Sequence, residues 1–390
     1  MANSAPRSIV FLVIASGTVL GVAGVDLILP SVPYLPQALG GTVIEAQYVL
    51  AAYTLGTAIG LLSFGALGDR VERNFLFSAS LTLFACVSFI ASFASDLWML
   101  VLLRAFQGAF GAAPAVFAPG LLRTIYGDRE APRVLGWLGS IESLAPALAP
   151  IAGLFLFQLG GWRLAFVTMA AAATVATIAS VILLPKPATH QRSGGGSYFA
   201  LLRTPLFLRY ALSQALSLGS IMIFVFGAPT AFTQGMGLPM TSFILMQVVG
   251  VSFFILGTVV SPRLTKRYGA ERVIWGGTAT VAGTFLAIFI VSSLGVGALT
   301  FIIPLFALNG IGFGIRGPVG FHRAIVAADG DDSRAAAMVV LTFLGVAAAG
   351  TAVAAPSLMQ GVAPLAGLAA VVSAGALAAL RIGSSNRLAL

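Results

Sequence analysis

The sequence predicts an all-α polytopic membrane protein, with twelve transmembrane helices in two six-helix halves. Three observations predict it. Hydrophobic residues make up 58% of the chain and charged residues only 8%. A soluble domain carries roughly 25% charged residues, so this chain cannot cover itself with a water-compatible surface. Its mean hydropathy of +1.01 is spread over 390 residues, room for twelve stretches of about 20 apolar residues each. The basic residues, finally, gather in alternate loops. This combination excludes a disordered chain, a disulfide scaffold and an ordinary soluble enzyme. Helices are expected throughout, because an open sheet would leave backbone groups unpaired in lipid.

Hydrophobic runs bounded by charges, Gly or Pro place the spans. Span 1 covers 8–32 and holds Asp26 and Pro30 near its end; its length and the spans that follow argue against a cleaved leader. Span 2, 43–67, stops before Asp69 and Arg70. Span 3 covers 74–95, and span 4, 97–123, stops at Arg123. Span 5 covers 133–159 and span 6 covers 163–184. Span 7 covers 206–233. Span 8, 240–262, stops at Arg263. Span 9 covers 272–294, span 10 covers 298–325, span 11 covers 334–360 and span 12 covers 363–382.

Counting Lys and Arg orients the chain. With the N-terminus inside, the cytoplasmic segments hold Arg7; Arg70 and Arg73; Arg123, Arg129 and Arg133; Lys186, Arg192, Arg203 and Arg209; Arg263, Lys266, Arg267 and Arg272; Arg323 and Arg334; Arg381 and Arg387. That is 18 of 21, with Arg163 outside and Arg104 and Arg316 within spans. An asymmetry this large is a positive-inside signal, and it accounts for the net charge of +9 and the pI of about 10.4 without nucleic acid. Both termini are expected in the cytoplasm. Trp98, Trp137, Trp162 and Trp275 fall near span ends, where aromatic belts form.

The longest polar segment, about 185–205, contains Ser193, Gly194, Gly195, Gly196 and Ser197, a flexible linker composition. It divides the chain into an N-terminal half, 1–185, a cytoplasmic linker, 186–205, and a C-terminal half, 206–390. A weak repeat agrees: Leu67-Gly68-Asp69-Arg70-Val71-Glu72 and Leu264-Thr265-Lys266-Arg267-Tyr268-Gly269 fall in equivalent loops of the two halves.

Four stretches resemble the major facilitator superfamily, in particular its twelve-span drug:proton antiporters and, most closely, the Bcr/CflA group that includes phenicol exporters. Asp26-Leu27-Ile28-Leu29-Pro30-Ser31-Val32-Pro33 is similar to that group's D-x-x-x-P-x-x-P signature. Gly65-Ala66-Leu67-Gly68-Asp69-Arg70-Val71-Glu72-Arg73 resembles the superfamily loop motif, with Glu72 in place of a Gly. Arg104-Ala105-Phe106-Gln107-Gly108 resembles R-x-x-Q-G. Leu144 to Gly153, followed by Gly161-Trp162-Arg163, resembles the group's fifth span and its exit, with Ala-Pro where the wider antiporters have Gly-Pro. The likeness is densest over residues 20–170. It implies a proton-coupled exporter of small amphipathic compounds, multidrug or phenicol type, working by alternating access in a bacterial-type inner membrane. The alternative on the same fold is an importer or symporter of a specific metabolite or metal.

The residues themselves bear on energy and chemistry. No G-x-x-x-x-G-K-[ST] phosphate loop exists, so an ion gradient is the expected driver, with about 2.3 kcal/mol per charge per 100 mV. No enzyme motif, cofactor or metal cluster is expected, and the single Cys86 lies in an apolar run. An acid inside a span is a functional candidate by default. Asp26 is the leading proton carrier, with Arg104 at similar depth: desolvation favours the neutral acid and a neighbouring guanidinium the carboxylate. The competing reading is a fixed Asp26–Arg104 ion pair that holds the half together. Glu142, near the middle of span 5, is the second proton-coupling candidate, and a Glu142–Arg316 bridge is one arrangement its position allows.

Tyr53, Gln107, Gln214, Gln247, Asn309 and Arg316 are candidate cavity residues, each of which equally suits a helix–helix hydrogen bond. For gating, the resemblance implies a charged latch at Gly65, Asp69, Arg70 and Arg73, against the plain reading of a solvated loop. Pro146, Pro150 and Gly153 would bend span 5. Gly17, Gly21, Gly56 and Gly60 have small-xxx-small spacing, which marks close helix packing, and the glycines of span 10 suit packing or gating. Met236 and Met240, His190 and His322 read as ordinary loop or interface residues. The expected partners are a small-molecule substrate, protons and the lipid bilayer, with a monomer as the working unit.

Overall fold

The computed structural model describes residues 6–68, 70–184, 201–295, 298–328 and 332–382. The described residues are almost entirely helical. We number the helices α1 (Arg7–Asp26), α2 (Leu35–Leu39), α3 (Val43–Leu67), α4 (Arg73–Ala91), α5 (Leu97–Gly111), α6 (Ala113–Leu183), α7 (Pro205–Thr230), α8 (Met240–Tyr268), α9 (Ala270–Ser293), α10 (Ala298–Val326), α11 (Asp332–Ala354) and α12 (Val362–Ala379). Eleven stretches among the described residues are long and apolar enough to cross a membrane. One of them, Arg129–Leu183, has 55 residues. That is about 80 Å of helix, enough for two crossings of a hydrocarbon core about 30 Å thick.

The breaks have local causes. α1 stops at Asp26 because Pro30 and Pro33 withhold backbone N–H groups, and the chain continues as a 3-10 turn over Leu29–Tyr34. Span 1 is thus shorter as an α-helix than the expected 8–32. α3 matches its expected limits. It opens on a capping box in which the Glu45 N–H donates to Thr42 Oγ1 and the Thr42 N–H donates to the Glu45 carboxylate at 2.7 Å. Span 4 is interrupted at Ala112, just before Pro114, which cannot donate to the turn behind it. Within α6 the backbone leaves helical geometry at Gly127 (φ 74°), Gly160 and Gly161 (φ 70°). Positive φ is the region that favours glycine, so these residues mark where spans 4, 5 and 6 separate.

α8 runs six residues beyond the expected end of span 8. Arg263, Lys266 and Arg267 therefore lie on its last turns and not in a loop. Cations suit a helix C-terminus, where they face the partial negative charge of unpaired carbonyls. Trp162 is buried and stands apart from the expected belt, whereas Trp98 and Trp137 are exposed.

The chain divides into two compact units, Met1–Gly194 and Gly195–Leu390. Most of the linker expected over 186–205 lies outside the described residues. In the first unit, Phe11, Ile14, Phe77, Phe117 and Leu138 share an apolar core, while α3 and α5 meet through backbone. A Cβ on Gly56, Gly60 or Gly108 would overlap the carbonyl oxygens of Ala105, Ala109 and Tyr53 in turn. In the second unit, Phe207, Ile274, Ala335 and Val339 form a comparable core, and an ion pair between Arg209 and Glu271 ties α7 to α9.

α5 begins at Asp96, whose carboxylate accepts the Met99 N–H at 2.9 Å. That bond is the first cause holding the acid below its ordinary pKa. A depressed acid stabilises the fold at pH values above its unfolded pKa, and the contribution fades as pH falls through the folded one. Asp96→Ala is therefore expected to lower the thermal midpoint in detergent at neutral pH. The gap to wild type should close below the usual carboxylate range, and a pH-independent gap would show that the cap is not its source.

Candidate functional site

The candidate site of the first unit forms where α1 ends. Asp26 is the last residue of α1 and is 5% exposed. Arg104, on α5, is fully buried. Its Nη1 donates to the Gly24 carbonyl at 2.9 Å and to Gln107 Oε1 at 2.6 Å, and its Nε reaches the Val49 carbonyl at 3.4 Å. Gly24 O belongs to the last turn of α1, where carbonyls have no helical partner and the dipole is negative. Arg104 thus caps α1 and joins it to α3.

Tyr53 of α3 completes the arrangement. Its ring lies under the guanidinium, 4.1 Å from centroid to Cζ, and its hydroxyl donates to the Gly21 carbonyl at 2.7 Å. A desolvated cation–π contact is worth about 2 kcal/mol, part of what offsets burial of the charge. Tyr53 lies within electrostatic reach of both Arg104 and Asp26. Gln107 passes the chain on, donating to Ser88 Oγ of α4 at 2.6 Å. Arg104, Gln107 and Tyr53 therefore form one polar network spanning four helices, with Asp26 at its edge.

The fixed Asp26–Arg104 ion pair is not what the geometry contains. Among the described residues neither side chain makes an ion pair, because the guanidinium is committed to backbone oxygens and Nη2 has no partner. Glu142 is half-buried and lies against the Thr18 hydroxyl of α1, not in a fully enclosed position. Of the span-5 residues, Gly153 packs on the Leu27 carbonyl with no room for a Cβ. This brings α6 against the chain just past Asp26. Pro150 is buried and Pro146 is half-buried.

The loop residues are placed apart from this network. Gly65 is exposed on α3 and Arg70 is exposed in the turn before α4. Arg73 opens α4 with its guanidinium over Gly120 of α6, where a Cβ would lie 3.0 Å from Nη1. Asp69 lies outside the described residues, as does His190.

In the second unit, Arg316 of α10 is fully buried and donates through Nη1 to the Ser213 carbonyl at 3.2 Å and through Nη2 to Ser213 Oγ at 3.4 Å. Gln214 is 5% exposed, and its Oε1 has no partner. The two heads converge, since a Cβ on Gly320 would lie 2.8 Å from Arg316 Nη2 and from Gln214 Oε1. Asn309 donates to Thr284 Oγ1 at 2.8 Å, so it is a tie between α10 and α9. Gln247 is buried on α8. His322 is exposed. Ser88, Thr18 and Ser213 were not singled out from sequence; short hydroxyl side chains in apolar runs give no pattern to find them by.

A sequence profile described as the Major Facilitator Superfamily matches residues 14–322. The chain belongs to the major facilitator superfamily. It is 24% identical over 260 residues to a bicyclomycin resistance protein homolog of Haemophilus influenzae, covering 64% of this chain and 65% of that one. It is 28% identical over 269 residues to a chloramphenicol resistance protein of Pseudomonas aeruginosa, covering 67% of this chain and 64% of that one. The multidrug resistance protein MdtL of Citrobacter koseri is 27% identical over 328 residues, 83% of this chain and 82% of that one. The match thus spans just under two thirds of the length of the first two relatives. The likeness to drug-resistance transporters noted in the sequence is borne out.

Solved structures agree on the fold. A bacterial homolog of the human lysosomal transporter Spinster superposes with a TM-score of 0.74 at 15% identity, over 97% of each chain. A D-xylose–proton symporter gives 0.73 at 12% identity, again over 97% of each.

Removing Arg104 leaves the Gly24 and Val49 carbonyls without their buried donor, at roughly 1–3 kcal/mol each. Arg104→Leu is therefore expected to lower the thermal midpoint of the purified protein by several degrees. Tyr53→Phe, which loses one bond to Gly21, should lower it less. Equal midpoints for Arg104→Leu and wild type would contradict a structural role for the guanidinium.

Proposed function

We propose that this transporter is a proton-coupled exporter of small amphipathic compounds, of the multidrug or phenicol kind, working by alternating access. The observation that carries the reading is Asp26: an acid buried at the broken end of α1, with no ion-pair partner among the described residues. A buried charge without a partner is costly, and exchanging a proton is the way such a group avoids that cost. The relatives named for resistance to bicyclomycin, chloramphenicol and multiple drugs support export and the substrate class. The D-xylose–proton symporter shares only the fold and gives import no support.

In this reading protons enter from the outer side and bind Asp26, with Glu142 as a second acceptor, while substrate leaves in exchange. Arg104 and Tyr53 hold the end of α1 and act on Asp26 through space. Gln214, Gln247 and Arg316 offer polar groups toward substrate, Gln107 and Asn309 being engaged in helix–helix bonds, and Gly65, Asp69, Arg70 and Arg73 serve as the latch, with Pro146, Pro150 and Gly153 as the flexible part of span 5. The working setting is the bacterial inner membrane, with both termini in the cytoplasm and a monomeric unit.

Liposomes with an acidic interior and a luminal pH dye test this with phenicols, lipophilic cations and neutral sugars. Wild type should release protons on addition of a substrate. Asp26→Asn should fold normally and lose coupled movement, and full gradient-driven transport by that variant would remove Asp26 from the mechanism. Arg70→Ala should slow turnover several-fold with binding affinity near wild type. A large loss of equilibrium binding at normal turnover would contradict the latch.

A further inference from the structure

The C-terminal unit carries a groove that the transport reading does not use. α8 and α9 each pack along α10 but make little contact with each other, which leaves a cleft of about 330 Å³ over α10. Its floor is Ile311, Gly312 and Ile315 of α10. Its wall on α9 is Gly276, and its mouth holds Tyr268 and Arg272. Gly276 is what keeps it open, since a Cβ there would meet nothing within 4 Å. The cleft opens to the surface, because Tyr268, Arg272 and Gly276 are exposed. Leu308, which also lines the cleft, is apolar and exposed, as expected of a surface facing hydrocarbon.

The mouth is cationic. Arg272 stands in the first turn of α9, and Arg267 stands in the last turn of α8 with its guanidinium 5.2 Å from the Tyr268 ring centroid. The one acid of this turn, Glu271, is already engaged by Arg209, by the Tyr210 hydroxyl at 2.8 Å and by Trp275 Nε1 at 3.2 Å. Arg267 and Arg272 make no ion pair among the described residues. An apolar trough therefore ends beneath unneutralised positive charge. Between Arg272 and Thr280, which also borders the cleft, α9 rises about 12 Å, most of the hydrocarbon depth of one leaflet.

We propose that this groove binds one anionic glycerophospholipid, with its phosphate on Arg272 and the Tyr268 hydroxyl and one acyl chain laid along α10. The chemistry is that of other basic pockets at the ends of membrane helices, and the charge-assisted bond to phosphate sets the headgroup preference. The site depends only on the C-terminal unit, so it stands whether or not the protein exports drugs.

Native mass spectrometry of the full-length protein in detergent, with phosphatidylglycerol and phosphatidylcholine of matched chains, tests the proposal. Wild type should hold one phosphatidylglycerol at least roughly tenfold more tightly than phosphatidylcholine, a factor of ten being 1.4 kcal/mol. Arg272→Gln should erase that preference. Gly276→Leu adds a side chain into the groove at a position where a Cβ meets nothing within 4 Å, improves helix propensity, and should lose both lipids. Unliganded thermal midpoints verify that the variants fold, and added phosphatidylglycerol should raise the midpoint of wild type but not of Gly276→Leu. Equal binding of the two lipids by wild type, or wild-type retention of phosphatidylglycerol by Gly276→Leu, would overturn it.

Discussion

The N-terminal half depends on one buried guanidinium. Arg104 bonds the end of α1 at Gly24, the side of α3 at Val49 and its own helix at Gln107, and it rests on the Tyr53 ring. In water such bonds would be exchangeable. In a bilayer, where no solvent replaces them, they fix where α1 may end and how α3 and α5 lie against it. The second half contains a related solution, with Arg316 bonded to the carbonyl and hydroxyl of Ser213. Both cations bond to neutral oxygens, with Arg104 Nη2 and Arg316 Nε left over.

That choice of partner matters for any acid nearby. A carbonyl does not titrate, so bonds from Arg104 to Gly24 and Val49 persist whatever the charge on Asp26. Had the two side chains formed a closed ion pair, each protonation of the acid would have left the cation unpaired and shaken the junction of three helices. Under the proposed proton coupling, keeping the scaffold apart from Asp26 would let one proton come and go against a rigid frame. The frame reaches further through Gln107 to Ser88, and Gly153 sets α6 beside Leu27, so the surroundings of Asp26 are built from five helices.

Much of this was legible in the residues, for physical reasons. Apolar length and charge placement located the spans, and α3 came out at its expected limits because Thr42 and Glu45 form a cap whose spacing is visible in one dimension. The end of α8 was misplaced because Arg263, Lys266 and Arg267 mark a loop in a hydropathy reading, while a helix C-terminus accepts cations equally well. The interruption at Ala112 was hidden inside an apolar run. Within the site, the titratable members stood out as charges in spans. Their partners did not, because Arg104 is held by main-chain oxygens, which every residue possesses, and Ser88 looks like any small residue on a membrane helix.

The backbone seam between α3 and α5 has a consequence for how this protein can change. At Gly56, Gly60 and Gly108 a facing carbonyl occupies the place of a side chain. Every missense change of a glycine codon adds at least one carbon there, so no conservative route exists through these positions. Variation must come from other surfaces, and the seam will look unchanging among descendants for reasons of packing alone. Invariance along that line would record geometry and carry no information about what is transported.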